Sequence, residues 1–430
     1  MKVALLTLGC KVNSYETEAV WELLEKEGYD RVEWNDQSDV FIINTCSVTN
    51  TGEAKSRKMI RHAVATNPQA IVVVMGCFSQ LKVSEVLAIQ GVSIAIGTNH
   101  RDQIPSMIKK YIVEHKPISL VEDLSPKEAY DNLAIDHFVH HQRAFLKIQD
   151  GCNNFCSYCI IPYARGRIRS KAPEIVMNEA LRLVESGFKE IILTGIHTGG
   201  YGQDLKNYRF SDLLKDLEKI DGLKRLRISS IEISELTEDV LEVIRHSKII
   251  VNHLHIPLQS GSERILHLMN RKYTKNDYMS KIAEIRQIRK GIAITTDVIV
   301  GFPSETEAEF NEMMDFIRAM EFSELHVFPF SKRDGTLAAS MANQIDGTIK
   351  KQRVNDLISL SNELSKKYSE LFIGQTLEVI PESISEGYLL GHSDNYLSLR
   401  FKGHLDLVGQ IVQVKLNHIE NLTLFGEIIE

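Results

Sequence analysis

Residues 150–159 read DGCNNFCSYC, a stretch that brings Cys152, Cys156 and Cys159 into one short segment. Three thiols at C-x3-C-x2-C spacing are one short of the four protein ligands of a closed tetrahedral zinc site. No histidine or cysteine follows Cys159 until His197. The alternative to zinc is a cubane 4Fe-4S cluster held through three of its irons, leaving the fourth iron open to another ligand. The apolar run AFLKIQ at 144–149 immediately precedes the trio and reads as a buried strand. The cysteines therefore open the loop at the end of that strand.

Downstream, further strand patterns recur between helix-sized stretches: EIILTG (190–195), RLRISSIE (225–232), NHLHIPLQ (252–259), AITTDVIVG (293–301) and ELHVFPF (324–330). Six parallel strands with crossover helices predict a partial (β/α)6 barrel over 143–370, with its active face at the carboxyl ends of the strands. Upstream, KVALLTLGC (2–10), DVFIINTC (39–46) and AIVVVMGC (70–77) are continuous apolar runs, as expected of parallel strands covered on both faces. Each ends on a cysteine, after Gly9, Thr45 and Gly76 respectively. In an open parallel sheet all carboxyl ends share one edge, so Cys10, Cys46 and Cys77 are expected to converge on a shared metal site. Three buried core cysteines are the plainer alternative.

This pattern divides the chain into an open parallel α/β domain (1–115), a charged, weakly periodic linker (116–142), the barrel (143–370) and a tail of short alternating strands (371–430). The tail predicts a small antiparallel β-barrel. A chain of 430 residues exceeds what one core usually serves, and its 43% hydrophobic and 25% charged residues describe a soluble globular protein. No run approaches the roughly 18 apolar residues of a membrane span, and MKVALLTLGCKVN turns polar too soon for a signal peptide. A cytoplasmic location is expected. Six cysteines are too sparse for a disulfide scaffold. The net charge of −7 does not mark a nucleic-acid binder, but 143–171 carries six basic residues against Asp150 alone, a local balance of +5.

CNNFCSYC resembles the signature of the radical S-adenosylmethionine (SAM) superfamily, with Tyr158 at the aromatic position before the last cysteine. An added N-terminal domain with three cysteines and a small terminal barrel is similar to the methylthiotransferase branch, whose terminal barrel is called TRAM; the resemblance covers essentially the whole chain. TLGCKVNSYETE (7–18), INTCSVTNTG (43–52) and LTGIHTGGYG (193–202) resemble the type that modifies N6-threonylcarbamoyladenosine beside the tRNA anticodon. The isopentenyladenosine type carries Gln-Met where this chain has Lys11-Val12, and the ribosomal-protein type has Pro-Lys after its first cysteine.

The resemblance implies two 4Fe-4S clusters, one on Cys152, Cys156 and Cys159 and one on Cys10, Cys46 and Cys77, all six serving catalysis. It implies SAM both as source of a 5'-deoxyadenosyl radical, which takes hydrogen from carbon 2 of the adenine, and as methyl donor. The anticodon stem-loop of tRNA is then the partner, with flavodoxin or ferredoxin as electron donor. Tyr158, Glu232, Gln259 and Asp297 become candidates for contact with SAM, and Arg165, Arg167, Arg169, Arg400 and Lys402 for contact with tRNA.

Ser304 and Glu307 are spaced as a helix capping box. His253 and His255 share one strand face and read as a satisfied core pair. The terminal barrel holds eight acids against three bases, net −5, which departs from an RNA grip. A zinc-stabilised, non-catalytic RNA-binding protein, or a radical SAM enzyme acting on a protein or small molecule, would use the same cysteines.

Overall fold

The apolar runs of the first hundred residues form a six-stranded, all-parallel sheet in the computed structural model, which describes residues 1–124, 130–131, 133–135 and 142–429. Its strands are β1 (Lys2–Thr7), β2 (Asp30–Val32), β3 (Val40–Thr45), β4 (Ile71–Gly76), β5 (Val92–Ile96) and β6 (Ile118–Leu120). Their order is β2-β1-β3-β4-β5-β6. Strands β3 and β4 are buried along their whole length, and separate apolar clusters cover the two faces of the sheet. The sixth strand falls within the expected linker, so the sheet runs on to Leu120 before regular structure ends. The rest of that linker includes 125–129, 132 and 136–141, which lie outside the described residues.

The central region supplies β7 (Ala144–Lys147), a two-residue ribbon of β8 (Gln149–Asp150) and β9 (Arg169–Ser170), then β10 (Glu190–Thr194), β11 (Arg225–Ile228), β12 (His253–His255), β13 (Ala293–Val300) and β14 (Glu324–Pro329). β7, β10 and β11 pair in parallel, as do β12, β13 and β14, and a parallel bridge from Leu226 to Ile250 joins the two halves. The result is an open barrel in the order β7-β10-β11-β12-β13-β14. One helix of the first domain, Lys11–Lys26, lies against β7, and its Tyr15 and Ala19 belong to the barrel's own apolar core. The helix after β13 spans Glu307–Met320 and is capped by Thr306, whose hydroxyl accepts from Glu309 N while Glu309 accepts from Thr306 N at 2.8 Å. The capping box therefore sits two residues beyond the Ser304–Glu307 pair, because Ser304 takes a left-handed turn (φ +64°) before the helix begins.

The terminal strands β15 (Thr376–Ser385), β16 (Tyr388–Ser393), β17 (Ser398–Lys402), β18 (Val412–Glu420) and β19 (Thr423–Ile428) close in the order β15-β16-β17-β19-β18. One pairing, β17 with β19, is parallel, as any closed ring with an odd number of strands requires. This small barrel docks beneath the large one, at the amino ends of its strands. Glu382 meets Arg143 at 3.0 Å, Glu378 meets Arg225 at 3.4 Å, and Asp394 accepts from Asn252 at 3.1 Å. Tyr396 stacks on His253 and on His392, ring centroids 4.8 and 4.9 Å apart. Part of the acidity of residues 371–430 is thus committed to this docking. Among the described residues no helix is long and apolar enough to cross a membrane.

Candidate functional site: two cysteine trios at the strand ends

The first trio is gathered by the sheet. Cys10 is the N-cap of helix Lys11–Lys26, Cys46 follows β3, and Cys77 opens a short helix directly after β4. The approach is close: a Cβ on Gly9, whose φ is +109°, would stand 3.0 Å from Cys46 Cβ. Asn13 ties the ends of β1 and β3 together by donating to Leu8 O at 2.8 Å and Thr45 O at 3.1 Å. Burial pushes the Cys77 thiol up to about 11, and the neighbouring Cys46 and Cys10 add to that while Arg165 opposes it.

The second trio sits in the loop after β8. Gly151 begins it at φ +73°, where a Cβ would fall 1.9 Å from Arg167 O, so only glycine lets the loop close. Burial pushes Cys159 up to about 12, reinforced by Cys156. Arg271 donates to Cys156 Sγ at 3.4 Å, pairs with Glu232, and reaches the Tyr158 and Tyr273 hydroxyls at 3.4 and 3.1 Å. His197 lies against Cys152 and Glu235; burial alone would lower it, but hydrogen bonds to both partners outweigh that and raise it to about 10.

A tetrahedral zinc, with Zn–S bonds of about 2.3 Å, draws its thiolates to roughly 3.8 Å apart. Among the described residues, three potential ligand atoms come within 4.8 Å of one another at His255, Asp297 and His326, and neither cysteine trio closes so far. Each trio offers three thiols with a cation beside one of them, Arg165 at Cys77 and Arg271 at Cys156. In the histidine set, Asp297 Oδ1 already lies 3.3 Å from His255 and 3.2 Å from His326, and these bonds hold its carboxyl below the usual range despite burial. His253 and His255 both reach Thr295 Oγ1 at 2.9 Å.

Arg165 reaches the first trio from the segment that follows the second. It lies at the end of helix Ile161–Arg165, just past Cys159, and is fully buried. Its Nε donates to Cys77 Sγ at 3.3 Å, and its Nη atoms reach Glu16 at 2.8 Å, Asn13 at 2.8 Å and Asp150 at 3.2 Å. Glu16 also pairs with Lys147 at 2.8 Å and Arg101 at 3.0 Å; burial acts against its charge, but these cations hold it down to about 2.

The basic run of 143–171 is therefore mostly an internal seam between the first domain and the barrel. This corrects the expectation that Arg165 and Arg169 face tRNA: Arg165 has all its donors engaged, and Arg169, 7% exposed, donates to Asn99 and to Arg165 O. Arg167 is exposed, its guanidinium 4.4 Å from the Phe155 ring. In the small barrel Lys402 is exposed and half-buried Arg400 pairs with Glu386 at 3.1 Å. Of the SAM candidates, Tyr158 and Glu232 adjoin the second trio through Arg271. Gln259 is left-handed (φ +67°) and its backbone brackets Asp297, donating to Asp297 O at 2.8 Å and accepting from Ile299 N at 2.9 Å. Sequence reasoning missed Arg271, Glu16 and the contact of His197 with Cys152, since no motif marks any of them.

Two families match the chain: the one described as the radical SAM superfamily over residues 146–317, and uncharacterized protein family UPF0004 over 2–97. Threonylcarbamoyladenosine tRNA methylthiotransferase MtaB of Bacillus subtilis (strain 168) is 49% identical over 420 residues, 96% of this chain and 93% of that protein. The tRNA-2-methylthio-N(6)-dimethylallyladenosine synthase of Desulfitobacterium hafniense (strain Y51) is 37% identical, over 99% and 97% of the two chains. The radical SAM methyltransferase TsrM from Kitasatospora setae, at 15% identity and a TM-score of 0.59 over 79% of this chain and 74% of its own, shares the fold. With identity of this order over nearly the full length of its relatives, the chain belongs to the family of radical SAM tRNA methylthiotransferases.

Proposed function

We propose that the enzyme adds a methylthio group at carbon 2 of N6-threonylcarbamoyladenosine at position 37 of tRNA, in the anticodon stem-loop, in the cytoplasm. The observation that carries this reading is the pair of three-thiol sets, the first contacted at Cys77 by Arg165 from the segment that follows the second, in a chain 49% identical to a relative named for that nucleoside. The radical SAM family implies a 4Fe-4S cluster and SAM; we assign the cluster to Cys152, Cys156 and Cys159, and a second cluster to Cys10, Cys46 and Cys77. When bound, the first supplies an electron for SAM cleavage and the second a site for the sulfur to be inserted, with flavodoxin or ferredoxin as donor.

The chain's own groups prepare both sites. Arg271 lies against Cys156 and His197 against Cys152, and they would offset the negative charge of thiolates on a bound cluster, as Arg165 would at Cys77. Arg271 also fixes the Glu232 carboxylate at the barrel's active face, where it would orient the amino group of SAM. We assign Gln259, Asp297 and Tyr158 to the same cofactor, Asp297 with its carboxylate already held by His255 and His326. Arg167, Arg400 and Lys402 are the accessible cations we assign to tRNA phosphates.

The test is anaerobic reconstitution, iron and sulfide analysis, and incubation with SAM, reductant and tRNA, followed by mass analysis of the nucleosides. The expected product is methylthiolated threonylcarbamoyladenosine. Methylthiolation of isopentenyladenosine instead, or a colourless zinc protein that modifies no tRNA, would overturn the assignment.

A further inference from the structure

The inner wall of the barrel carries a donor set that contains no cysteine. Register brings it together: across β12, β13 and β14, His255 pairs with Thr295 and Asp297 with His326. Side chains two apart on a strand share a face, so Thr295, Asp297 and their cross-strand partners stand on one side of the sheet. That side is the interior. The intervening Thr296 turns the other way, 3.5 Å from the Tyr278 hydroxyl of the covering helix Lys275–Ile288. His255 is buried, whereas the side chains of Asp297 and His326 are 25% and 43% exposed, so water and small ions reach the set.

The donors are spaced as ligands of one ion rather than as ion pairs. Asp297 Oδ1 stands 3.3 Å from His255 Nε2 and 3.2 Å from His326 Nδ1. Charge-assisted hydrogen bonds are shorter, about 2.7–2.9 Å. Elsewhere in this chain His392 meets Glu382 at 2.6 Å and His197 meets Glu235 at 2.5 Å. Two donors bound tetrahedrally to one ion at about 2.0–2.1 Å are separated by about 3.3–3.4 Å. His255 is also oriented from behind. Its Nδ1 lies 2.9 Å from Thr295 Oγ1, which can accept Nδ1–H and donate its own hydrogen to His253 Nε2, also at 2.9 Å. That order leaves the Nε2 lone pair of His255 facing a carboxylate oxygen, two acceptors that a cation would join. A ligating histidine is characteristically held by such a bond at its other nitrogen.

We propose that His255, Asp297 and His326 bind a divalent transition-metal ion on the inner face of the barrel, at a site that shares no ligand with either cysteine trio. Two imidazoles and one carboxylate suit zinc or iron(II), and not magnesium or calcium, which take oxygen ligands. Three protein donors leave the fourth tetrahedral position to water, so the ion would present a Lewis-acidic position to whatever enters the barrel. Coordination at Oδ1 leaves the second carboxylate oxygen of Asp297 for the cofactor contact assigned above. The inference does not rest on the identity of the tRNA nucleoside.

The test is anaerobic equilibrium dialysis of the full-length, cluster-reconstituted protein against zinc sulfate without SAM. Bound zinc is counted by mass spectrometry and its surroundings are read from the zinc K-edge absorption spectrum. The wild type is expected to retain one zinc per chain, with nitrogen and oxygen neighbours at about 2.0–2.1 Å, imidazole scattering and no sulfur. Thr295→Val, which removes the bond behind His255, is expected to weaken zinc binding by about 10- to 100-fold at unchanged iron content. His326→Gln, which removes a ligand from the most exposed of the three positions, is expected to weaken it further. Zinc with sulfur neighbours, zinc held equally well by His326→Gln, or no zinc retained by the wild type would each overturn the inference. Because zinc is counted apart from iron and from nucleoside products, those outcomes leave the function proposed above standing, and a failure to methylthiolate tRNA leaves the zinc result unaffected.

Discussion

Cys152, Cys156 and Cys159 occupy one loop, whose shape is set by Gly151 and by contacts with Arg271 and His197, whereas Cys10, Cys46 and Cys77 stand at the ends of three strands and meet only when the sheet is complete. The loop trio depends on its own short segment and the barrel wall behind it. The gathered trio depends on the first domain and, through Arg165, on its docking against the barrel. Two sites with the same donor set are thus vulnerable to different kinds of damage.

The sharpest way to break the comparison is to remove one thiol from each set. Cys156→Ala is expected to reduce SAM cleavage to background together with methylthiolation, whereas Cys10→Ala is expected to lose methylthiolation and keep SAM cleavage, read as 5'-deoxyadenosine released. Persistence of both activities in Cys10→Ala would refute the role given to the gathered trio. Next in size is Arg165→Met, which leaves Glu16 and Asp150 buried with fewer cations; it is expected to cost about 3–5 kcal/mol in denaturant unfolding. It should also loosen iron at the gathered trio before iron at the loop trio. Arg271→Met should reverse that order.

The seam also predicts a response to pH. Glu16 is held down to about 2 in the folded chain against an ordinary 4.5, so its contribution is complete above pH 4.5 and is lost as the pH falls through about 2. Thermal stability followed across that window is expected to fall more steeply in the wild type than in Glu16→Gln, which is already weaker at neutral pH. The smallest effects belong to the surface: Arg167→Ala and Lys402→Ala are each expected to weaken tRNA binding a few-fold and to lower the salt dependence by roughly one counterion. A substitution that changed affinity without changing that slope would mean the side chain meets no phosphate.

Both trios were legible because their information is local: a spacing in one case, and in the other a cysteine closing each of three apolar runs. The alternation of strands and helices likewise carried the barrel order. What stayed hidden depends on docking. Nothing in SYETEAV marks Glu16 as the partner of Lys147, Arg165 and Arg101, because that requires the helix to lie on β7. For the same reason the basic run looked like an outer face: its acidic partners, Glu16 and Glu179, are distant in sequence or masked by helical periodicity. The misplaced cap before Glu307–Met320 has a simpler origin, since Ser304 and Thr306 both precede a glutamate by three residues and only the left-handed turn at Ser304 chooses between them.

The seat of the small barrel bears on how the protein should be dissected. A chain cut after residue 370 would lose Glu378, Glu382 and Asp394 and leave Arg143, Arg225 and Arg227 with Glu190 as their remaining paired carboxylate. Such a fragment would turn a hidden arginine floor into an outward basic patch and adhere to any polyanion. Its gain in RNA retention would report the uncovered floor, and comparing it with the intact chain would make the terminal domain look like an inhibitor of RNA binding.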